Sequence, residues 1–141
     1  MVNKIQRILV PIDGSQNAIR GLERAISIAQ PAGAEITGLY VIHVPAAAAI
    51  HVTPQQRKKE ISFAESVIGG ALSRAKRAKV NFRAKTETGN PADKITQVAK
   101  SGRYDLIVIG SRGRGKGKEM FLGSVSNHVL HRANVPVMVV K

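Results

Sequence analysis

The chain has no cysteine and no tryptophan, only five other aromatic residues, and only nine acidic side chains in 141 residues. Each scarcity removes a class of function. Without cysteine there are no disulfides, no thiolate zinc sites and no cysteine nucleophile. With so few aromatics, and none interleaved with a basic run, stacking of single-stranded bases has little support. With so few acids, paired carboxylates for acid–base hydrolysis are scarce. There is no apolar run of about 18 residues, so no membrane-spanning helix is expected. The N-terminal "MVNKIQRILVPID" has too short an apolar run for a secretion signal and reads as a strand. A cytoplasmic location is the expectation.

What the chain does have is positive charge. Its formal net charge is +13, a surface that raises the local concentration of anions. The length suggests one domain over 1–141, large enough to bury roughly 68% of the surface its unfolded chain exposes.

Apolar patterning divides the chain into alternating elements. "RILVPID" is a continuous apolar run with Pro11 near its end, as a residue without an N–H requires. Ser15 caps a helix whose inward positions are Ala18, Leu22, Ala25, Ile26 and Ala29, and Pro31 and Gly33 end it. "EITGLYVIHV" is a second buried strand. A long helix is expected over 54–79, with Gly69 and Gly70 marking a kink or a close packing. "VNFRAKTETG" alternates Val80, Phe82 and Ala84 with polar residues, predicting a half-exposed strand. Asn90 and Pro91 open a helix that Gly102 ends. "YDLIVIG" is a fourth, central strand. A last helix starts near Ser124 with Val125, Val129, Leu130 and Ala133 on its inner face, and "VPVMVV" is a fifth strand.

This β-α-β alternation predicts an α/β fold, a five-stranded parallel open sheet of order 3-2-1-4-5 with helices on both faces, Rossmann-like. Such sheets bind ligands beyond the carboxyl ends of their strands at the switch point. There the order would set "PIDGS" beside "GSRGRGKGKEMFLGS", residues 110–124. The second stretch is not a Walker A loop, because Gly117 stands where the magnesium-binding hydroxyl is required. It is not G-x-G-x-x-G either, since Gly113, Gly115 and Gly117 are spaced G-x-G-x-G. What it fits is Gly110-x2-Gly113-x9-Gly123-Ser124. Gly110 and Gly113 would let the backbone turn and bring its amides near an anion. Gly123 and Ser124 would open a helix whose N-terminus attracts negative charge.

On these residues the chain resembles the ATP-binding branch of the universal stress protein family. The resemblance rests on this glycine spacing, on Asp13 after the first strand, on His43-Val44 at the end of the second, and on the closing Val135-Pro136-Val137. It implies that Pro11, Ile12 and Asp13 border the adenosine, that Val44 contacts the adenine, and that Gly110, Gly113, Gly123, Ser124 and Val125 hold the ribose and phosphates. Ser111 and Arg112 lie within the same stretch. ATP is the implied ligand, with AMP and ADP as alternatives and a divalent ion such as magnesium beside the phosphates.

Plainer readings stand beside these. Asp13 also suits a carboxylate bonding turn amides, and Ser124 suits a helix cap. Arg112, Arg114, Lys116 and Lys118 suit solvated loop charges. His43, His51, His128 and His131 form no convincing metal set. The basic 74–79 segment complements a helix dipole, with phosphate-only nucleic-acid binding as the alternative. No nucleophile elbow is present, so the expectation is at most slow ATP hydrolysis or autophosphorylation. The last strand is apolar on both faces yet falls at a sheet edge, which predicts a homodimer through 136–140.

Overall fold

In a computed structural model, residues 4–44, 52–112 and 122–141 are described. The elements run β1 (Arg7–Pro11), α1 (Gln16–Ala32), β2 (Glu35–His43), α2 (Pro54–Arg77), β3 (Phe82–Gly89), α3 (Pro91–Ser101), β4 (Leu106–Gly110), α4 (Ser124–Arg132) and β5 (Val137–Val140). All pairings are parallel and the order is β3-β2-β1-β4-β5. The expected α/β fold, its sheet order and its helices on both faces are therefore observed.

Central strands explain the continuous apolar runs. Ile8, Val10, Ile36 and Val108 point to the face covered by α1 and α2. Leu9, Leu39, Ile107 and Ile109 point to the face covered by α3 and α4. These side chains are at most 5% exposed, and burying each contributes roughly 1.5–3 kcal/mol. At the amino ends of the strands, Asp105 Oδ2 accepts the amides of Gln6 and Arg7, each at 2.9 Å. The Arg7 guanidinium lies 4.6 Å from the centre of the Tyr104 ring and donates to the Gly102 carbonyl. That end is tied off, and the carboxyl ends carry the open chemistry.

Local signals set most boundaries. Ser15 accepts the Ala18 amide at 3.1 Å and caps α1. Thr53 and Gln56 form a reciprocal capping box on α2. Asn90 accepts the Asp93 amide at 3.2 Å and caps α3.

Four expectations need correction. Pro31 does not stop α1; it lies inside the last turn, where its missing N–H costs one backbone bond, and Gly33 ends the helix in the left-handed conformation at φ 65°. Gly69 and Gly70 mark no close packing, since nothing lies within 4 Å of where their Cβ atoms would be and α2 runs unbroken past them. Ala84 is exposed, because β3 is an edge strand of which only Phe82 reaches the core, with Val80 buried just before it. Leu130 is 43% exposed, and Ser126, 2% exposed, takes an inward position on α4 beside Val129. Among the described residues no helix is long and apolar enough to cross a membrane.

Candidate functional site

β1 and β4 are neighbours in the sheet, with Ile8 opposite Leu106 and Leu9 opposite Ile107. Their continuations leave the sheet in opposite senses, β1 to α1 on one face and β4 to α4 on the other. This is the switch point that the order predicts.

At the end of β1, Pro11 is half-buried and opposite Leu39. Ile12 is 5% exposed and donates its amide to the Leu39 carbonyl at 2.9 Å. Asp13 follows, half-buried, with Oδ1 accepting the Ser15 amide at 2.8 Å. The turn role of Asp13 is thus real, and it fixes the carboxylate at the strand end. Gly14 has φ 88°, and a Cβ there would stand 2.9 Å from the tip of the Phe63 ring. Phe63, from α2, is 40% exposed and meets Tyr40 edge to face at 6.3 Å. It therefore borders the Asp13–Gly14 turn, which no sequence spacing indicates.

At the end of β4 the glycines take different parts. Gly110 makes no tight turn; a Cβ on it would fall 2.6 Å from Asn17 C, 2.7 Å from Asn17 O and 2.9 Å from Ala18 N. Its missing side chain lets the first turn of α1 press on the strand end. Ser111 is buried, and Arg112 half-buried. The Ser111 amide donates to the Val140 carbonyl at 2.8 Å, and the Ser111 carbonyl accepts the Gly123 amide at 2.6 Å. Gly113 lies outside the described residues, as do Arg114, Gly115, Lys116, Gly117 and Lys118.

Gly123, not Ser124, is the N-cap of α4, and no side chain caps it. Ser124 is the first helical residue, exposed, with Val125 half-buried behind it. The other three helices have side-chain caps. The first-turn amides of α4 therefore lack the oxygen that a Ser, Thr or Asn cap would supply, and the dipole is positive there. The arrangement suits an anion.

Pro11–Asp13, Gly110–Arg112 and Gly123–Val125 are thus brought to one end of the sheet by strand pairing and by the Ser111–Gly123 bond. Val44 is half-buried just past the end of β2. β2 outruns β1 there, and a cavity of about 240 Å³ lies between its last residues and α2, with His43, Lys59 and Phe63 on its walls.

Among the described residues the histidines do not gather. His128 Nε2 is 3.5 Å from Asp93 Oδ1, His43 is on β2, and His51 is outside the described residues. Among the described residues no group of three or more His, Asp or Glu could hold a metal ion. Of the basic 74–79 segment, Arg74 is paired with Glu23 at 2.6 Å, and Arg74, Lys76 and Arg77 occupy the last turn of α2, where cations suit the dipole. Ser126 and Phe63 are among the residues of this region that sequence reasoning passes over. A polar residue three positions before Val129 on an inward stripe was the available signal for Ser126.

Comparison with known proteins identifies the family and agrees with the fold. The model of the universal stress protein family matches residues 4–141, and the chain belongs to that family. It is 31% identical to universal stress protein MJ0531 of Methanocaldococcus jannaschii, over 99% of this chain and 84% of the relative. Among solved structures it is similar to hypothetical protein MJ0577, with a TM-score of 0.87 and 25% identity over 99% of this chain and 97% of that one. It is also similar to a universal stress protein solved in complex with cAMP, with a TM-score of 0.74 and 25% identity over 99% of this chain and 98% of that one.

Proposed function

We propose that this protein is a single nucleotide-binding domain that takes ATP, with AMP and ADP as alternatives, across the ends of β1 and β4. The observation that carries the reading is the uncapped N-terminus of α4, held against Ser111 at the switch point. An anion there gains a dipole contribution of about 0.3–2 kcal/mol. A family member that binds cAMP supports the nucleotide class.

In this reading Pro11, Ile12 and Asp13 border the adenosine and Val44 the adenine. Gly110 and Ser111 shape the floor. Arg112, Gly113, Gly123, Ser124 and Val125 face the ribose and phosphates. A divalent ion such as magnesium would arrive on the phosphates, with the Asp13 carboxylate nearby. Function follows from the bound state and its partners rather than from fast turnover, in the cytoplasm. The edge strand β5 pairs with its two-fold mate through 136–140 in a homodimer.

Calorimetric titration with ATP, AMP, ADP and a short DNA duplex at two salt concentrations tests the reading. The expected result is nucleotide heat at both salts and duplex affinity that collapses at the higher one. Tight, salt-resistant duplex binding with no nucleotide heat overturns it.

A further inference from the structure

Ser126 is a buried hydroxyl at this end of the sheet that bonds to another element. It is 2% exposed, and its Oγ donates to the Ser111 carbonyl at 2.8 Å, with the Gly123 carbonyl at 3.1 Å. The Ser111 carbonyl also accepts the Gly123 amide at 2.6 Å, while the Ser111 amide reaches Val140 at 2.8 Å. Residue 111 is therefore held from three sides: by β5 through its amide, and by the Gly123 backbone and the Ser126 side chain through its carbonyl.

The consequence concerns α4. Packing of Val129 seats the helix on the sheet, and its first turn has no side-chain cap. A hydroxyl on the inward face of that turn bonds it across to the end of β4. The two ends of the 111–123 stretch are pinned together without using the first-turn amides of α4. A Ser at position 123 would have capped the helix but consumed one of those donors. Placing the hydroxyl at 126 closes the base and leaves the donors for a ligand.

We infer that Ser126 is a positioning residue for nucleotide phosphate, acting through the Ser111 carbonyl to hold the α4 N-terminus in register with the end of β4. This rests on the reading of the site as a nucleotide site. Ser126 does not touch the ligand in this account. Its contribution is preorganisation, so it bears on the phosphates and not on the base.

The test compares wild type, Ser126→Ala and Ser126→Thr, each titrated with ATP and with adenosine, alongside amide exchange at Gly123 by NMR. Losing one hydrogen bond should weaken ATP roughly two- to tenfold. Adenosine affinity should stay unchanged, exchange of the Gly123 amide should quicken, and Thr should restore both. Equal weakening of ATP and adenosine in Ser126→Ala means general damage and overturns the inference. So does unchanged ATP affinity, or unchanged Gly123 exchange, whether or not Thr fits the buried site. Wild-type protein that gives no nucleotide heat overturns the reading of the site itself, and the inference with it.

Discussion

Gly110→Ala separates packing from ligand binding at the first position of the glycine motif. The new Cβ would stand 2.6 Å from Asn17 C, 2.7 Å from Asn17 O and 2.9 Å from Ala18 N. Ordinary carbon contacts lie near 3.5–4.0 Å, so the overlap is about 1 Å. The atoms in the way are backbone and cannot rotate aside. Either α1 or the end of β4 must move, and Gly21 of α1 is itself close, with its own absent Cβ 3.3 Å from Gly110 N. Overpacking of this kind costs about 1–3 kcal/mol. Restricting the unfolded chain returns roughly 0.4–1 kcal/mol. The net expectation is a loss of about 1–2 kcal/mol in protein free of nucleotide. Urea unfolding followed by far-UV circular dichroism measures it. With a slope of about 1–3 kcal/mol per molar, the midpoint should fall by roughly 0.3–2 M. A variant as stable as wild type, weakened only in nucleotide affinity, refutes the packing argument and returns Gly110 to the ligand.

Gly70→Ala should act in the opposite sense, since it lies exposed in α2 with no atom within 4 Å of its missing Cβ; a gain of about 0.5–1 kcal/mol is expected in the same urea assay, and destabilisation would mean the glycine serves a contact. For the homodimer, the carbonyls of Pro136 and Val140 are used inward, by Ile107 and Ser111. Strand alternation then turns the backbone groups of Val137 and Val139 outward. Wild type should sediment as a dimer at micromolar concentration and Val139→Pro, which removes an outward donor, as a monomer; a wild-type monomer refutes edge pairing.

The fold was legible because its central strands are buried on both sides. In a parallel sheet covered by helices, a central strand has no polar face, so "ILVP" and "LIVIG" stand out as unbroken apolar runs. The caps were legible for a separate reason: Ser15 and Asn90 each sit just before an apolar periodicity and bond within one turn, so no tertiary information is needed. Legibility failed where a third element decides. Ala84 alternates correctly but lies on an edge strand. Leu130 is apolar and near the inner stripe of α4, but the packing there admits Ser126 instead. Phe63 approaches Gly14 across two elements distant in sequence, and no local pattern encodes that meeting.

The candidate site tests this distinction most sharply, because its motif is written mainly in one residue type. Glycine at a motif position can mean a positive φ, a close backbone approach, or the absence of a side chain that would occupy a donor. The spacing Gly110-x2-Gly113-x9-Gly123-Ser124 does not distinguish them. Gly110 turns out to be a close approach, with α1 filling the space its side chain would need. Gly123 is the third kind, at an extended φ of −70° that other residues adopt, where a Ser, Thr or Asp would cap α4 and use a donor. Ser124, read as either a cap or a phosphate donor, cannot be the cap because it is already the first helical residue. The cap reading is therefore excluded. The motif thus describes a helix end kept open by what position 123 lacks and fixed in place by the hydroxyl at 126, which lies outside the motif.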